Sequence, residues 1–370
     1  MKLVFWLSAG LLVYTQAGYA VLLAALARLR GAGLRGQTPQ SSPPTVSLVI
    51  AAYAEEAVIA DKIANARALD YPRERLEVVV ACDGSPDATP QRARDAGADV
   101  VLELPHGGKI RAQDAAVARS RSDIVAFSDA NAMWEPDALS ELVAPFAQPD
   151  VGYVCGQVRF VNDEGTNQEG LYWRYELWLR SMESRLASVT GGNGAIYATR
   201  REDYLVVDPV MGHDLSFPFN MVKRGRRAAY APRAQATEKM VPTIEGEFAR
   251  KRRMMSHAWP IIVRGGLLSP RGYPPLYALM IASHRALRYA SPFLHLVAFA
   301  ASAALLGEGW IYAAALALQC ALLIAALAGG VRPFLIARYY VLTTASIAAG
   351  LWDWARHGTP AGWAPAEGTR

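Results

Sequence analysis

Short apolar runs alternate with amphipathic stretches through the middle of the chain. The apolar runs predict strands at 46–51, 76–81, 100–104 and 124–127, with a further short strand in the segment AIYA. The amphipathic stretches predict helices at 55–69, 87–96, 109–119 and 136–146, the last with proline in its first turn. This βαβ series predicts an α/β domain with a mostly parallel sheet that is covered by helices on both faces.

The amino-terminal run 3–27 is long enough to cross a bilayer, and Gln16 is its one strongly polar residue. It exceeds the apolar core of a signal peptide, and arginines follow it. We therefore predict a transmembrane helix within 1–30, with the amino terminus outside the cell.

Three apolar runs follow one another near the carboxyl end, at 292–306, 310–327 and 333–354. They predict about three transmembrane helices within 291–356, followed by a polar tail at 357–370. Glu308 lies between the first two runs and Arg332 precedes the third, so the charge bias predicts a multi-pass inner-membrane protein whose central domain is cytoplasmic. If the third run were re-entrant or interfacial, the carboxyl tail would lie on the other side of the membrane.

The segment 266–290 joins the central domain to these runs. Within it, Leu276, Leu279, Met280 and Leu287 alternate with His284, Arg285 and Arg288. This pattern is typical of a helix in the membrane interface, and equally of an ordinary helix packed on the domain.

Composition supports a membrane-bound globular protein. Of the residues, 52% are hydrophobic and 19% are charged, against about 25% charged in a typical soluble domain. A disordered chain is excluded, and three cysteines without a C-x-x-C pair exclude a disulfide scaffold. Ten basic and three acidic residues lie between 223 and 253, a block that indicates a phosphate-rich ligand or an anionic membrane surface rather than nucleic acid.

Acidic residues follow three of the predicted strands. Glu55 follows the first strand, Asp83 the second and Asp129 the fourth. One such acid alone is commonly a helix cap or a turn residue. Because ligands of parallel sheets bind at the carboxyl ends of the strands, three acids at one edge indicate a binding site.

An ordered set of motifs runs through this domain. It comprises Ala52-Tyr53-Ala54-Glu55-Glu56, Asp83-Gly84-Ser85, Gly108-Lys109, Ser128-Asp129-Ala130-Asn131, Gly191-Gly192-Asn193-Gly194-Ala195, His213-Asp214 and the basic cluster Arg250 to Arg253. The set resembles the inverting family 2 glycosyltransferases of GT-A fold, in the membrane-bound bacterial branch related to cellulose, hyaluronan and poly-N-acetylglucosamine synthases. The resemblance implies a GT-A domain over 44–265, a UDP-sugar donor, and a saccharide or lipid-linked acceptor in cell-envelope glycan or exopolysaccharide synthesis.

The resemblance implies that four of these residues bind the UDP-sugar donor. It implies that Asp83 accepts hydrogen bonds from the uracil, while Tyr53 and Glu55 border the same pocket. For Tyr53, simple packing is an alternative. Lys109 follows two glycines at a helix amino terminus, a place where phosphate binds readily.

Asp129 corresponds to the D-x-D motif that holds Mg²⁺ or Mn²⁺ in this family. Asn131 occupies the second acidic position. Its amide oxygen can bind a hard cation, but it removes one negative charge and should weaken metal affinity.

The resemblance places the catalytic base in an acidic dipeptide, where this chain has His213-Asp214. We therefore expect Asp214 to take the proton of the acceptor hydroxyl. An acid in the first turn of a helix would produce the same local sequence.

Polymerising members carry a Q-x-x-R-W motif that binds the donor diphosphate and the acceptor end. Arg253 matches its arginine, Arg250 stands at the glutamine position and Met254 at the tryptophan position. Arginine can still bind diphosphate, but the missing tryptophan argues against polymer extension. The whole cluster could also lie on anionic lipid.

Two alternatives stay open from the sequence. One is a non-processive enzyme that adds a single sugar to a lipid. The other is a non-catalytic nucleotide-binding subunit of a polysaccharide synthase, which Asn131 would suit. A transporter is disfavoured, because His295 is almost the only ionisable group inside the apolar runs. No feature identifies the sugar, the acceptor or the oligomeric state.

Overall fold

The computed structural model describes residues 1–29, 42–161, 170–239, 244–328 and 332–359. Eight strands form one sheet: β1 (Val46–Ala52), β2 (Leu76–Asp83), β3 (Val100–Leu104), β4 (Ile124–Asp129), β5 (Met133–Trp134), β6 (Val151–Val161), β7 (Ile196–Arg200) and β8 (Arg227–Lys239). Their order in space is β3-β2-β1-β4-β7-β6-β8-β5.

The first half of the sheet is wholly parallel. Strands β3, β2, β1 and β4 pair in parallel, and so do β6 and β8. Strand β7 is antiparallel to both of its neighbours, and β5 is antiparallel to β8. The predicted α/β class with a mostly parallel sheet is confirmed.

The described part of the central domain has seven α-helices: α3 (Ile59–Arg67), α4 (Thr89–Asp95), α5 (Lys109–Arg119), α6 (Ala138–Val143), α7 (Leu171–Leu186), α8 (His213–Lys223) and α9 (Ile244–Val263). It also has two short 3₁₀ turns, at Arg73–Arg75 and Ala144–Ala147. The remaining helices are α1 (Lys2–Val13), α2 (Tyr19–Leu29), α10 (Pro275–Met280), α11 (Leu287–Ala304), α12 (Trp310–Ala328) and α13 (Arg332–His357). One π turn, Tyr14–Gly18, joins α1 to α2, and another, Ile281–Ala286, joins α10 to α11.

The sheet is buried on both faces. Along β1, Leu48 and Ile50 belong to one apolar cluster, whereas Val49 belongs to the cluster on the other face. All seven residues of β1 are buried. This explains why the strand appears in the sequence as a continuous apolar run, without alternating polar positions.

Within the described ranges, three helices are long and apolar enough to cross a membrane: Lys2–Leu29, Trp310–Ala328 and Phe334–His357. Residues 292–304 of the predicted run 292–306 lie in α11, which has 18 residues and continues from α10 without a break in helical structure. On α12, Leu318 and Ile324 are 72% and 66% exposed, as expected for side chains that face lipid.

Side chains of the basic helix α9 form hydrogen bonds with side chains of α13. Lys251 bonds the Tyr339 hydroxyl at 2.9 Å, and Arg252 binds the Asp353 carboxylate through two hydrogen bonds of 2.6 Å each. Two residues of the basic block thus bind side chains of a candidate membrane helix.

The 275–304 helix packs on the domain rather than standing apart from it. The Tyr277 hydroxyl donates to the Val189 carbonyl at 3.0 Å. His284 is buried and contacts Glu183 at 2.7 Å, so the polar side of this helix faces protein.

Candidate active site

The carboxyl end of β2 organises the first part of the site. Asp83 is 1% exposed, and its carboxylate accepts hydrogen bonds from the backbone N–H groups of Gly107, at 2.7 Å, and Gly108, at 2.9 Å. These bonds fix the glycine turn directly before α5. Asp83 therefore determines where Lys109, the first residue of α5, is presented.

His106 connects Asp83 to Tyr53, and the sequence analysis missed it. Its Nδ1 lies 3.0 Å from the Asp83 carbonyl oxygen and 3.1 Å from the Asp83 carboxylate. Its ring packs on Tyr53, with 4.7 Å between ring centroids. Gly84 allows His106 to lie this close, because its φ is +64° and a Cβ there would be 2.7 Å from the backbone nitrogen of His106.

Glu55 lies deeper than its neighbour Tyr53. It is 1% exposed, whereas Tyr53 is half-buried. The Glu55 backbone N–H donates to the Thr89 hydroxyl at 2.8 Å, and its carbonyl accepts the N–H of Ile59 at the start of α3. This bonding pattern explains why α3 begins at 59 rather than at the predicted residue 55.

Lys109 and Asp129 meet at the centre of the strand-end edge. The Lys109 ammonium forms an ion pair with the Asp129 carboxylate and lies 3.4 Å from the Gly194 carbonyl. Strands β4 and β7 bring these groups together, because Ser128 pairs with Ile196. Both side chains of the ion pair are about one-fifth exposed, so the pair is accessible to a ligand.

A buried lysine holds the turn that follows Asp129. Lys62 is completely buried, and its ammonium donates to the Ala132 carbonyl at 2.5 Å and lies 5.2 Å from the centre of the Trp134 ring. Asn65, one turn further along α3, bonds the backbone N–H and carbonyl of Trp134 at 2.9 and 2.8 Å. Burial lowers the pKa of Lys62 to about 7, although the Asp129 carboxylate opposes the shift.

Glu238, near the end of β8, is a second acidic group that the sequence analysis missed. Removal from water and then the Asp129 carboxylate raise its pKa to about 7, while Lys109 and Arg250 oppose the rise. Glu238 therefore belongs to the same electrostatic site as Asp129. The sequence did not identify Glu238 as a site residue, because it lies among basic residues and belongs to none of the motifs recognised in the chain.

Asp214 lies in the first turn of α8 and is partly exposed. Its backbone carbonyl accepts the N–H of Gly192 at 2.7 Å. Within the described ranges, its carboxylate forms no hydrogen bond or ion pair. The carboxylate is thus free to accept a proton from a ligand.

His213 precedes Asp214 and is buried against the Phe217 ring, 4.0 Å away between centroids. Its Nδ1 lies 2.7 Å from the Tyr197 hydroxyl. Burial, followed by the Lys109 charge, lowers the pKa of His213 to about 3, so its imidazole is neutral at physiological pH. Burial and then two neighbouring tyrosines raise the pKa of Tyr197, and the charges of Asp129, at the end of β4, and Asp214, in α8, add to the rise.

Of the two arginines predicted to bind the donor diphosphate, Arg250 and Arg253, the first is already bound to a carboxylate in the structure. Arg250 binds the Glu247 carboxylate through bonds of 2.7 and 2.8 Å. Burial would lower the pKa of Arg250, but Glu247 and then Glu238 raise it. Burial and then the Arg250 charge lower the pKa of Arg253. Arg250 thus interacts electrostatically with both Glu238 and Arg253.

The donor set near Asp129 suits a hard cation that is shared with a ligand. Asp129 and Asn131 both offer oxygen atoms two residues apart at a strand end. Among the residues that the structure describes, no three His, Cys, Asp or Glu side chains are grouped to hold a metal. A site with few protein ligands is the usual form for Mg²⁺ that is completed by phosphate oxygens and water.

A surface cavity of about 560 Å³ lies at the opposite, amino-terminal edge of the sheet, beside Thr45, Leu76 and Val100. None of the predicted site residues lines it. The chemistry-bearing residues thus gather at one edge of the sheet only.

The family model for Glycosyl transferase family 2 matches residues 47–205. This range contains β2 to β7, all of β1 except its first residue, and every motif from Tyr53 to Gly194. Asp214 and the basic helix α9 lie beyond the matched range.

Curated relatives cover a similar part of the chain. A beta-monoglucosyldiacylglycerol synthase of Synechocystis sp. is 31% identical over 223 residues, which make up 52% of this chain and 42% of that protein. An N-acetylglucosaminyltransferase of Mesorhizobium japonicum is 28% identical over 243 residues, which make up 58% of this chain and 56% of that protein. The chain thus spans about half the length of the curated relatives it matches.

Among solved structures, the mannosyltransferase PcManGT from Pyrobaculum calidifontis, in complex with GDP-Man and Mn²⁺, matches with a TM-score of 0.72. The sequence identity is 22%, and the match covers 96% of this chain and 100% of that chain. The likeness concerns the fold, and it confirms the predicted GT-A fold.

Proposed function

We propose that the chain is a family 2 glycosyltransferase, and that it transfers a sugar from UDP-sugar to a saccharide or lipid-linked acceptor at the cytoplasmic face of the inner membrane. The central observation is the position of Lys109, whose ammonium reaches both Asp129 and the Gly194 carbonyl. It joins the proposed donor side of the site to the glycine turn whose Gly192 N–H is hydrogen-bonded to the backbone carbonyl of the proposed base. Membrane location is supported by three helices of membrane-spanning length.

The donor is proposed to bind along the carboxyl ends of β1, β2 and β4. Tyr53 and His106 offer adjacent aromatic rings for the base, and Asp83 holds the turn beneath them. Lys109 offers its charge to the diphosphate at the amino terminus of α5, where the helix dipole also favours an anion. UDP, rather than GDP, is our proposal from the motif resemblance, and PcManGT was solved with GDP-Man.

A divalent cation, Mg²⁺ or Mn²⁺, would be held by Asp129 and Asn131 together with the diphosphate, and it would neutralise the charge of the leaving group. The PcManGT complex contains Mn²⁺, which supports this part of the proposal. Arg250 and Arg253 would contribute further positive charge to the same diphosphate.

Asp214 is proposed as the general base. Its partly exposed carboxylate carries no partner within the described residues, and Gly192 fixes its backbone. Removing the proton from the acceptor hydroxyl would allow that oxygen to attack the anomeric carbon opposite the departing diphosphate, which inverts the configuration. His213 stays neutral and buried beside it, so it acts as packing rather than as a proton acceptor.

Transfer of a single sugar to a lipid is the favoured form of this reaction over polymer extension. Met254, which stands where the polymerising enzymes have tryptophan, lies 3.1 Å from the Arg250 guanidinium. A flexible thioether gives no flat ring on which an acceptor sugar could stack.

The direct test is release of UDP by the full chain in lipid nanodiscs, over a panel of UDP-sugars and GDP-mannose with Mg²⁺ or Mn²⁺. We expect turnover with a UDP-sugar, and a loss of roughly a hundredfold or more in Asp214→Asn, because general bases commonly contribute 10² to 10⁴ to the rate. UDP binding should be retained in that variant.

The matched control is Asp61→Asn, which alters an exposed carboxylate on α3. Tight UDP binding without turnover for any donor would favour the non-catalytic subunit. Turnover with GDP-mannose alone would contradict the proposed UDP specificity.

A further inference from the structure

Two carboxylates on α7, the buried Glu183 and the partly buried Glu176, contact the 275–304 helix away from the donor residues. Glu183 is 1% exposed and accepts hydrogen bonds from His284 at 2.7 Å, Tyr19 at 2.7 Å and the Thr190 backbone at 3.1 Å. Burial alone would lower the pKa of His284, but the carboxylates around it raise that pKa to about 9. His284 is therefore a cation at physiological pH, and it neutralises Glu183.

The second carboxylate, Glu176, is neutralised as well. Arg288 binds it through two hydrogen bonds of 2.6 and 2.8 Å. Each acid of this cluster thus has its own cation.

Two more guanidinium groups enter the same region without a direct ion pair. Burial would lower the pKa of one of them, Arg285, but Tyr289, Glu183 and Glu176 raise it. Arg180 donates to the Gly192 carbonyl at 3.2 Å, and Arg285 donates to the Thr190 hydroxyl at 3.0 Å. No salt bridge joins either arginine to a carboxylate of the described chain. Asp214 is a third carboxylate near this region, since its charge raises the pKa of Tyr153 after burial and Cys155 do. Four cations therefore face three carboxylates, which still leaves an excess of positive charge in a largely buried place.

The arginines lie on the two sides of one glycine turn. A Cβ on Gly191 would be 2.2 Å from the Arg285 guanidinium, and a Cβ on Gly192 would be 2.0 Å from the Tyr153 hydroxyl. The Tyr153 hydroxyl and Nη1 of Arg180 are both buried and without a hydrogen-bond partner in the described residues. Buried donors rarely remain unpaired, so these two groups call for an acceptor with several oxygens.

The place of this cluster separates it from the donor diphosphate. The Gly192 N–H holds Asp214, whereas the far end of the same turn, at Gly194, contacts Lys109. The cluster also touches the first candidate membrane helix, where the Tyr14 hydroxyl lies 2.8 Å from Ser283. An anion here would thus stand beside the proposed base and next to the membrane.

We propose that Arg180 and Arg285 bind a phosphate group on the acceptor, so that the acceptor is a phosphate-bearing lipid. A guanidinium presents two parallel N–H groups to phosphate oxygens, and two guanidiniums with the Tyr153 hydroxyl suit a dianion. The inference rests on the proposed glycosyl transfer, because it identifies the chemical class of the acceptor in that reaction.

Binding to the full chain in a phosphate-free maltoside detergent tests this proposal. Three probes are titrated against tryptophan fluorescence: dihexanoyl phosphatidic acid, dihexanoylglycerol and inorganic phosphate. We expect phosphatidic acid to bind at least about tenfold more tightly than the other two, because charge-assisted bonds and apolar chains both contribute. Arg180→Gln and Arg285→Gln should each weaken that binding by about tenfold, and Arg180→Lys by less.

Arg185→Gln is the matched control, since Arg185 is an exposed cation on the same helix. Tyr153→Phe provides a variant that loses no hydrogen bond of the described residues, and it should weaken phosphatidic acid several-fold while thermal unfolding is unchanged.

Equal binding of phosphatidic acid and dihexanoylglycerol would overturn the proposal, as would equal binding by wild type, Tyr153→Phe and both glutamine variants. Inorganic phosphate as tight as the lipid would assign the site to free phosphate and overturn the lipid acceptor. UDP binding is measured in the same samples. Its absence in the wild type would contradict the proposed glycosyl transfer, whereas its retention with unchanged lipid binding would sink this inference alone.

Discussion

Gly192 donates its backbone N–H to the carbonyl of Asp214 over 2.7 Å. The same glycine has the Tyr153 hydroxyl where its side chain would be, since a Cβ would lie 2.0 Å from that oxygen. The position of the proposed base is thus tied to a turn that tolerates no side chain.

Gly192→Ala should therefore reduce turnover by about tenfold or more, because the added methyl must displace either the turn or Tyr153. Tyr153→Phe in the same chain should restore much of the loss, since it removes the clashing oxygen and leaves 3.1 Å to the next ring carbon. The measurement is UDP release by the single and double variants. A double variant no better than Gly192→Ala would show that the clash is not the cause.

Lys109→Gln should raise the donor KM by about tenfold or more, because it removes the ammonium that faces Asp129 and the proposed diphosphate. Arg119→Gln, an exposed cation at the other end of α5, should leave the KM unchanged. Steady-state kinetics with the preferred donor measures both. A donor KM that is unaltered in Lys109→Gln would remove Lys109 from donor binding.

The strand-end acids could be predicted because each follows a continuous apolar run that specifies a buried parallel strand. Asp83 and Asp129 were found in this way, and the glycines before Lys109 marked the turn between strand and helix. Local sequence carries this information, because strand, turn and helix signals lie within a few residues of one another.

Other parts of the site depend on contacts between distant segments. Lys62 looks like one more charged residue on an amphipathic helix until the fold brings the turn at Ala132 against it. Glu238 was hidden because β8 pairs with β6, about 80 positions earlier in the chain, and neither strand was predicted. The burial of His284 likewise depends on Glu183, 101 positions away.

Lys62→Met tests whether that buried lysine positions Asp129. The thioether fills similar space but leaves the Ala132 carbonyl without its donor, at a cost of about 1–3 kcal/mol. We expect weaker donor and Mn²⁺ binding by several-fold, with a small change in thermal stability, because removal of the buried charge offsets part of the cost. Titration of Mn²⁺ in the presence of UDP gives the affinity. An affinity equal to wild type would assign Lys62 to the core alone.

His213 should make the protein less stable in acid. Burial lowers its pKa to about 3 in the folded protein, against an ordinary value of 6.5. Below pH 6.5, the unfolded chain therefore binds a proton at this histidine that the folded chain does not bind. Stability is thus lost as the pH falls from about 6.5 towards 3, by up to about 1.4 kcal/mol for each pH unit. His213→Gln cannot titrate, and its apparent Tm in detergent should fall less steeply over this range, although it starts lower because the bond to Tyr197 is weakened. Parallel Tm profiles for the two proteins between pH 7 and 4 would show that another group carries the acid sensitivity.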